Sequence, residues 1–142
     1  MAARISIDAL DAHVDRLCGQ HRIRRLRGAR GRAEVQRRNG TRVTAIRIPP
    51  VRGQVTYLIA LHEIGHLVGP GRSGTRLERE AAAWRYALRE SLVRPTEATR
   101  RRIGRRLRSY ATWAELRQHR RRPPVLPPPE SAFWSLLAEL ER

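Results

Sequence analysis

The chain has 142 residues, 40% hydrophobic and 30% charged, which suffices for one hydrophobic core and is too short for two. Its formal net charge of +17 comes from 30 basic residues, all arginine, against 13 acids. Coding preference explains why the bases are arginine. The excess itself creates a field that draws nucleic acid or acidic protein surfaces, the blander reading being solvated charge without a defined partner. No apolar run is long enough to span a bilayer, the N-terminus lacks the pattern of a signal peptide, and the single cysteine, Cys18, excludes an intrachain disulfide, so a cytoplasmic protein is expected.

Ser6 followed by Ile7, Leu10, Val14 and Leu17 predicts a serine-capped amphipathic helix at about 7–18, closed by Gly19. Between Arg22 and Ile48 the pattern shortens around Asn39-Gly40, a pair that favours a tight hairpin turn. It predicts strands at 32–38 and 41–48 and a third at 22–27, ended by Pro49-Pro50. Residues 54–68 are apolar nearly all round and are stopped by Gly69-Pro70-Gly71, as expected of a buried helix. Thr75-Arg-Leu-Glu78 reads as a capping box opening a helix that runs to about Val93, before Arg94-Pro95. Two more helices are expected, at 96–108 and, after a second capping box at Thr112–Glu115, at 113–121. A stiff proline spacer at 123–129 precedes Phe133, Leu136, Leu137 and Leu140, which repeat as one face of a short helix. The resulting division is residues 1–122, with a core at 1–95 and a basic helical part at 96–122, followed by a spacer and amphipathic helix at 123–142.

The chemistry concentrates in His62-Glu63-Ile64-Gly65-His66. Histidines four apart on a helix project about 40° apart and can converge on one ion, while Glu63 lies beside that ion, placed to take a proton from a bound water. Burying two histidines and a glutamate in so apolar a helix is costly without partners. Gly65 costs its helix about 1 kcal/mol relative to alanine, a sign that another backbone approaches there. The alternative is a pair of satisfied core histidines with Glu63 in a salt bridge. A catalytic zinc normally takes three protein ligands and a water. The extension His-x-x-Gly-x-x-His matches at Gly69 but ends on Arg72, which cannot ligate. An acid on the next helix can, and of Glu78, Glu80 and Glu90 the first is the capping residue and the last is remote. Glu80 remains, against the reading that it is a surface acid paired with an arginine.

The segment Tyr57-Leu-Ile-Ala-Leu-His-Glu-Ile-Gly-His-Leu67, followed by Leu77-Glu-Arg-Glu-Ala-Ala-Ala-Trp84 and Pro95, resembles the ImmA/IrrE family of small cytoplasmic metallopeptidases. That family pairs a His-Glu-x-Gly-His helix with a Glu-x-Glu-Ala-Asn-x-Phe-Ala helix ending at a proline. The resemblance implies an α+β, zincin-like domain in which an N-terminal helix and a short antiparallel sheet pack on the buried helix and a glutamate-bearing helix, with further C-terminal helices. It implies Zn2+ held by His62, His66 and Glu80, Glu63 as catalytic base, and Trp84 as a core aromatic. It also implies an association with mobile genetic elements or stress regulation and a repressor-type DNA-binding protein as substrate. Ala82 stands where the family has asparagine and Arg85 where it has alanine, so a contact supporting the metal site is lost or remade. Tyr86, Tyr110, His119 or an arginine could stabilise the oxyanion.

Two other readings stand beside this one. In the first, arginines at 100–108 and 117–122 flank a helix-turn-helix pair that binds nucleic acid. In the second, a regulatory protein with a degenerate site docks partners through Phe133, Trp134, Leu136 and Leu140.

Overall fold

The computed structural model describes residues 4–69 and 74–142. Helix α1 (Ile7–Gln20) begins where the Ser6 hydroxyl accepts the Ala9 N–H at 3.1 Å, and it buries Leu10, Val14, Leu17 and Cys18 along one face. Strands β1 (Ile23–Arg27), β2 (Arg32–Arg38) and β3 (Thr41–Ile48) follow. At the β2–β3 turn both Asn39 (φ 51°) and Gly40 (φ 78°) take the left-handed conformation that a two-residue hairpin requires. The sheet order is β1-β3-β2, with β2 antiparallel and β1 parallel to β3, so the sheet is mixed rather than antiparallel as expected. The reason lies in the Gly28–Gly31 link. Gly28 N–H bonds the Ile48 carbonyl at 3.0 Å, and the chain then passes the end of β3 to start β2 on the opposite edge, opposite Arg47.

Helix α2 (Gln54–Val68) is the centre of the core. Its buried residues include Tyr57, Leu58, Leu61 and Ile64, and it packs on α1, β2, β3 and α3. Gly53 offers no capping side chain, so Thr56 Oγ1 accepts the Arg52 and Gly53 N–H groups at 2.8 and 3.2 Å. The helix closes with Gly69 N–H on the Gly65 carbonyl at 2.9 Å; the Pro70–Gly71 stop and Arg72 lie outside the described residues.

Helix α3 (Arg76–Glu90) opens with the expected reciprocal cap: Glu78 N–H donates to Thr75 Oγ1 at 3.1 Å and Thr75 N–H to Glu78 Oε1 at 3.2 Å. It stops at Glu90, short of the expected Val93. The Ser91 hydroxyl engages both the carbonyl and the N–H of Val93, and Leu92 N–H donates to the Tyr57 hydroxyl, drawing the backbone out of the helix.

Helix α4 (Glu97–Glu115) is one continuous helix where two were expected. Thr112 is interior to it, its carbonyl accepting the Leu116 N–H at 3.0 Å, and Ile103, Leu107, Ala111 and Ala114 form one unbroken buried stripe. No helix-turn-helix pair exists there, and 116–122 is a series of turns. Helix α5 (Ala132–Glu141) packs on α3 and α4, burying Phe133, Leu136, Leu137 and Leu140 in the common core; this face is spent inside the molecule rather than offered to a partner. At the α4–α5 crossing a Cβ on Gly104 would stand 3.2 Å from that of Leu140. Among the described residues the result is an α+β fold of five helices and a three-stranded sheet, and none of these helices is long and apolar enough to cross a membrane.

Cys18 is 4% exposed, and burial pushes its thiol from the ordinary 9.0 up to about 11. Near pH 8 the thiolate fraction in the native protein is therefore negligible, and iodoacetamide should leave the chain unmodified until denaturant opens it. Rapid alkylation of native protein, read as a mass shift, would contradict this packing of α1.

Candidate metal centre

The helical period of α2 puts His62 and His66 on the face turned toward α3, and the period of α3 puts Glu80 and Trp84 opposite them. What lets the two helices meet so closely is Gly65. A Cβ there would lie 2.9 Å from the Ala83 carbonyl oxygen, 3.0 Å from Tyr86 Cδ1 and 3.1 Å from Ala83 Cα. The backbone approach expected from this glycine is that of α3.

Across this contact His62 Nε2 and His66 Nε2 stand 3.1 Å apart. Glu80 reaches both, with Oε2 at 3.0 Å from His62 Nε2 and Oε1 at 3.2 Å from His66 Nε2. The first contact lacks hydrogen-bond geometry, so Glu80 Oε2 is a buried oxygen without a hydrogen-bond partner among the described residues. Glu63 lies just outside this triangle, Oε1 3.6 Å from His62 Nε2. His62, Glu63 and His66 each present a donor atom within 4.8 Å of the others and could hold a metal ion. Glu80 is nearer to both imidazoles than Glu63 and completes the more compact set. Ligands bound tetrahedrally at 2.0–2.1 Å are spaced roughly 3.3 Å apart, close to the 3.0–3.2 Å spacing of these atoms.

The electrostatics follow from burial and from this crowding. Burial pushes Glu63 from 4.5 up to about 7, the His66 and Arg106 charges opposing and that of Glu80 assisting. Burial acts in the same sense on Glu80, but the two imidazoles outweigh it and hold that carboxyl far below the usual range. His62 is lowered, burial outweighing the neighbouring Glu80; His66 is raised, since there Glu80 and Glu63 prevail over burial. His62 Nδ1 has no hydrogen-bond partner among the described residues. Its ring is instead stacked on the Trp84 indole, centroids 4.1 Å apart and planes 27° from parallel.

The cluster opens into a cleft of about 480 Å³. Edge strand β2 forms one wall through Ala33 and Val35, α2 the floor, and α4 the opposite wall through Arg106 and Tyr110. Val35 is 53% exposed, an apolar side chain left uncovered at the cleft mouth.

No family model, curated protein or solved structure matches this chain.

The structure thus brings together His62, Glu63, His66 and Glu80, and sets apart the other acids. Glu78 holds the α3 cap and accepts the Ser131 hydroxyl at 2.9 Å, and Glu90 lies at the far end of α3 beside Arg89. Of the suggested oxyanion groups, Tyr110 and two arginines, Arg30 and Arg106, line the cleft; Tyr86 packs against Gly65 and His119 is exposed beyond α4. Gly31 is a site residue that sequence reasoning missed. Its missing side chain makes room for α2, since a Cβ there would be 2.6 Å from Ile59 Cγ2 and 3.2 Å from Glu63 Cγ. The turn-forming spacing of Gly28 and Gly31 was the available signal, but nothing local says which helix the turn meets.

Gly65→Ala should gain about 1 kcal/mol of helix propensity and lose more than that to the clash with Ala83, for a net destabilisation of about 1–2 kcal/mol. The separation of α2 from α3 should also weaken metal retention. Thermal unfolding with and without chelator measures both; an alanine variant as stable as wild type and equally metal-responsive would refute the close contact.

Proposed function

We propose that this protein is a zinc-dependent endopeptidase of the ImmA/IrrE type, cleaving a regulatory, repressor-type DNA-binding protein. The observation that carries the reading is the convergence of His62 Nε2, His66 Nε2 and the Glu80 carboxylate at 3.0–3.2 Å, with Glu63 beside them in an open cleft. Charge supports it as well: one divalent cation balances the Glu63 and Glu80 carboxylates with both imidazoles neutral, whereas without it the buried carboxylates draw protons onto His66 and Glu63. His62, His66 and Glu80 would hold the zinc, which when bound supplies Lewis acidity and lowers the pKa of its water from 15.7 to roughly 7.

The chain's own residues do the rest. The free edge of β2 offers backbone hydrogen bonds to an extended polypeptide, laying the scissile bond along the cleft, with Val35 as an apolar contact. A Glu63 carboxylate oxygen accepts the proton of the attacking water. It then delivers that proton to the amide nitrogen as the C–N bond breaks, leaving a carboxylate and an amine. The oxygen that gains charge in between faces α4, where the Tyr110 hydroxyl and the Arg106 guanidinium have no hydrogen-bond or ion-pair partner among the described residues and are free to donate. Burial raises the Tyr110 phenol, as do the nearby Glu80 and Glu63, keeping it a proton-bearing donor near neutral pH.

Purified protein should contain one zinc per chain by elemental analysis. His62→Ala and Glu80→Ala should lose it, while Glu63→Gln keeps it. In cells, new protein N-termini should appear with wild type and fall by a factor on the order of 100 or more with Glu63→Gln. Zinc retained by Glu80→Ala would move the third ligand elsewhere; identical N-termini from wild type and Glu63→Gln would end the peptidase reading.

A further inference from the structure

Most arginines whose partners are visible are spent on acids: Arg25 on Asp11 and Asp15, Arg47 on Glu34, Arg85 on Glu139, Arg101 on Glu97 and Arg108 on Glu141. Arg76, Arg117, Arg120 and Arg122 are different. Among the described residues none of the four pairs with a carboxylate, yet they gather around one groove of about 400 Å³, walled by Trp113 and the Pro123-Pro124 segment. The groove is built rather than incidental. The Arg76 and Arg117 guanidinium carbons lie over the Trp113 ring at 5.0 and 5.1 Å from its centroid, and Arg117 is further tied to the Trp113 carbonyl at 3.0 Å. The Gln118 amide bridges the Ala114 and Pro124 carbonyls at 2.9 Å each, pinning the proline wall to the end of α4.

From this arrangement we propose that the groove binds the phosphodiester backbone of nucleic acid. Clustered cations cost free energy through mutual repulsion, and here stacking holds the forks of Arg76 and Arg117, with a main-chain bond added at Arg117, in place for an anion to bridge. With two guanidiniums already over Trp113, the groove offers forks for phosphates rather than an open aromatic face for bases, so binding is insensitive to sequence. The surplus charge of +17 favours a polyanion over a single acidic side chain. This inference is independent of the peptidase reading and needs no metal.

The probe is a fluorescein-labelled DNA duplex of about 20 base pairs, titrated by anisotropy between about 50 and 200 mM salt. Wild type should bind with affinity falling steeply with salt. The triple variant Arg76→Gln, Arg117→Gln, Arg120→Gln should reduce the slope of log affinity against log salt by about 2 to 3. The same three positions changed to lysine should restore most of it, which separates lost charge from lost fold. Arg37→Gln, Arg38→Gln, Arg42→Gln, removing equal charge from the exposed strand ends that flank the β2–β3 turn, should change the slope by less than about 1. Equal losses in the two glutamine triples would reduce the effect to net charge and overturn the assignment, as would no binding at the lowest salt. Displacement of the duplex by a poly-glutamate peptide at lower equivalent charge would reassign the groove to acidic protein.

Discussion

The crossing of α2 and α3 at Gly65 and Ala83 is the constraint on which the site depends. His62 lies three residues before Gly65 and His66 one after; Glu80 lies three before Ala83 and Trp84 one after. The four side chains therefore flank a single backbone contact, in which a Cβ would come within 2.9 Å of a carbonyl oxygen. Helices at an ordinary spacing of 8–10 Å reach each other through side-chain layers. Here the missing side chain brings the backbones together, so that the short Glu80 carboxylate meets both imidazoles instead of solvent.

This proximity places costly groups in a buried position. Glu63 is 7% exposed, and Glu80 Oε2, His62 Nδ1 and Trp84 Nε1 are buried without hydrogen-bond partners among the described residues. Unsatisfied polar atoms of this kind are rare in native interiors and tend to mark sites where stability is given up for chemistry. A metal-ligating histidine usually donates its second ring nitrogen to an oxygen that fixes its orientation. In the proposed site His62 would have a stacked indole in that role, which holds the plane of the ring but neither selects a tautomer nor raises its basicity. The chain also carries Ala82 where the resembled family has an amide, consistent with a histidine oriented by packing.

What the sequence made legible was local. The helical period fixed α2 and the faces of His62 and His66, Asn39-Gly40 fixed the hairpin, and Thr75 with Glu78 fixed the start of α3, which by elimination singled out Glu80. What it concealed depended on distant partners. The parallel pairing of β1 with β3 leaves no turn signature, because the two strands are joined through the whole of β2. The approach of Gly31 to Glu63 is a contact between a loop and a helix far apart in sequence, and a glycine in a turn already has a sufficient local explanation.

The misreading of α4 is the most instructive for function. Thr112 with Glu115 has the composition of a capping box, yet the pattern competes with an unbroken apolar stripe from Ile103 to Ala114, and tertiary packing decides the outcome. A break near residue 110 would have let the two halves turn independently. As one helix, α4 instead carries Arg106, Tyr110 and Trp113 at i, i+4 and i+7, with Arg117 in the turn just beyond its end. Arg106 and Tyr110 wall the cleft over the histidines, and Trp113, near the helix end, walls the arginine groove. The same continuity that the apolar stripe enforces inside the core thus fixes the spacing of the two proposed sites outside it, and a ligand that shifts α4 at one of them must move the wall of the other.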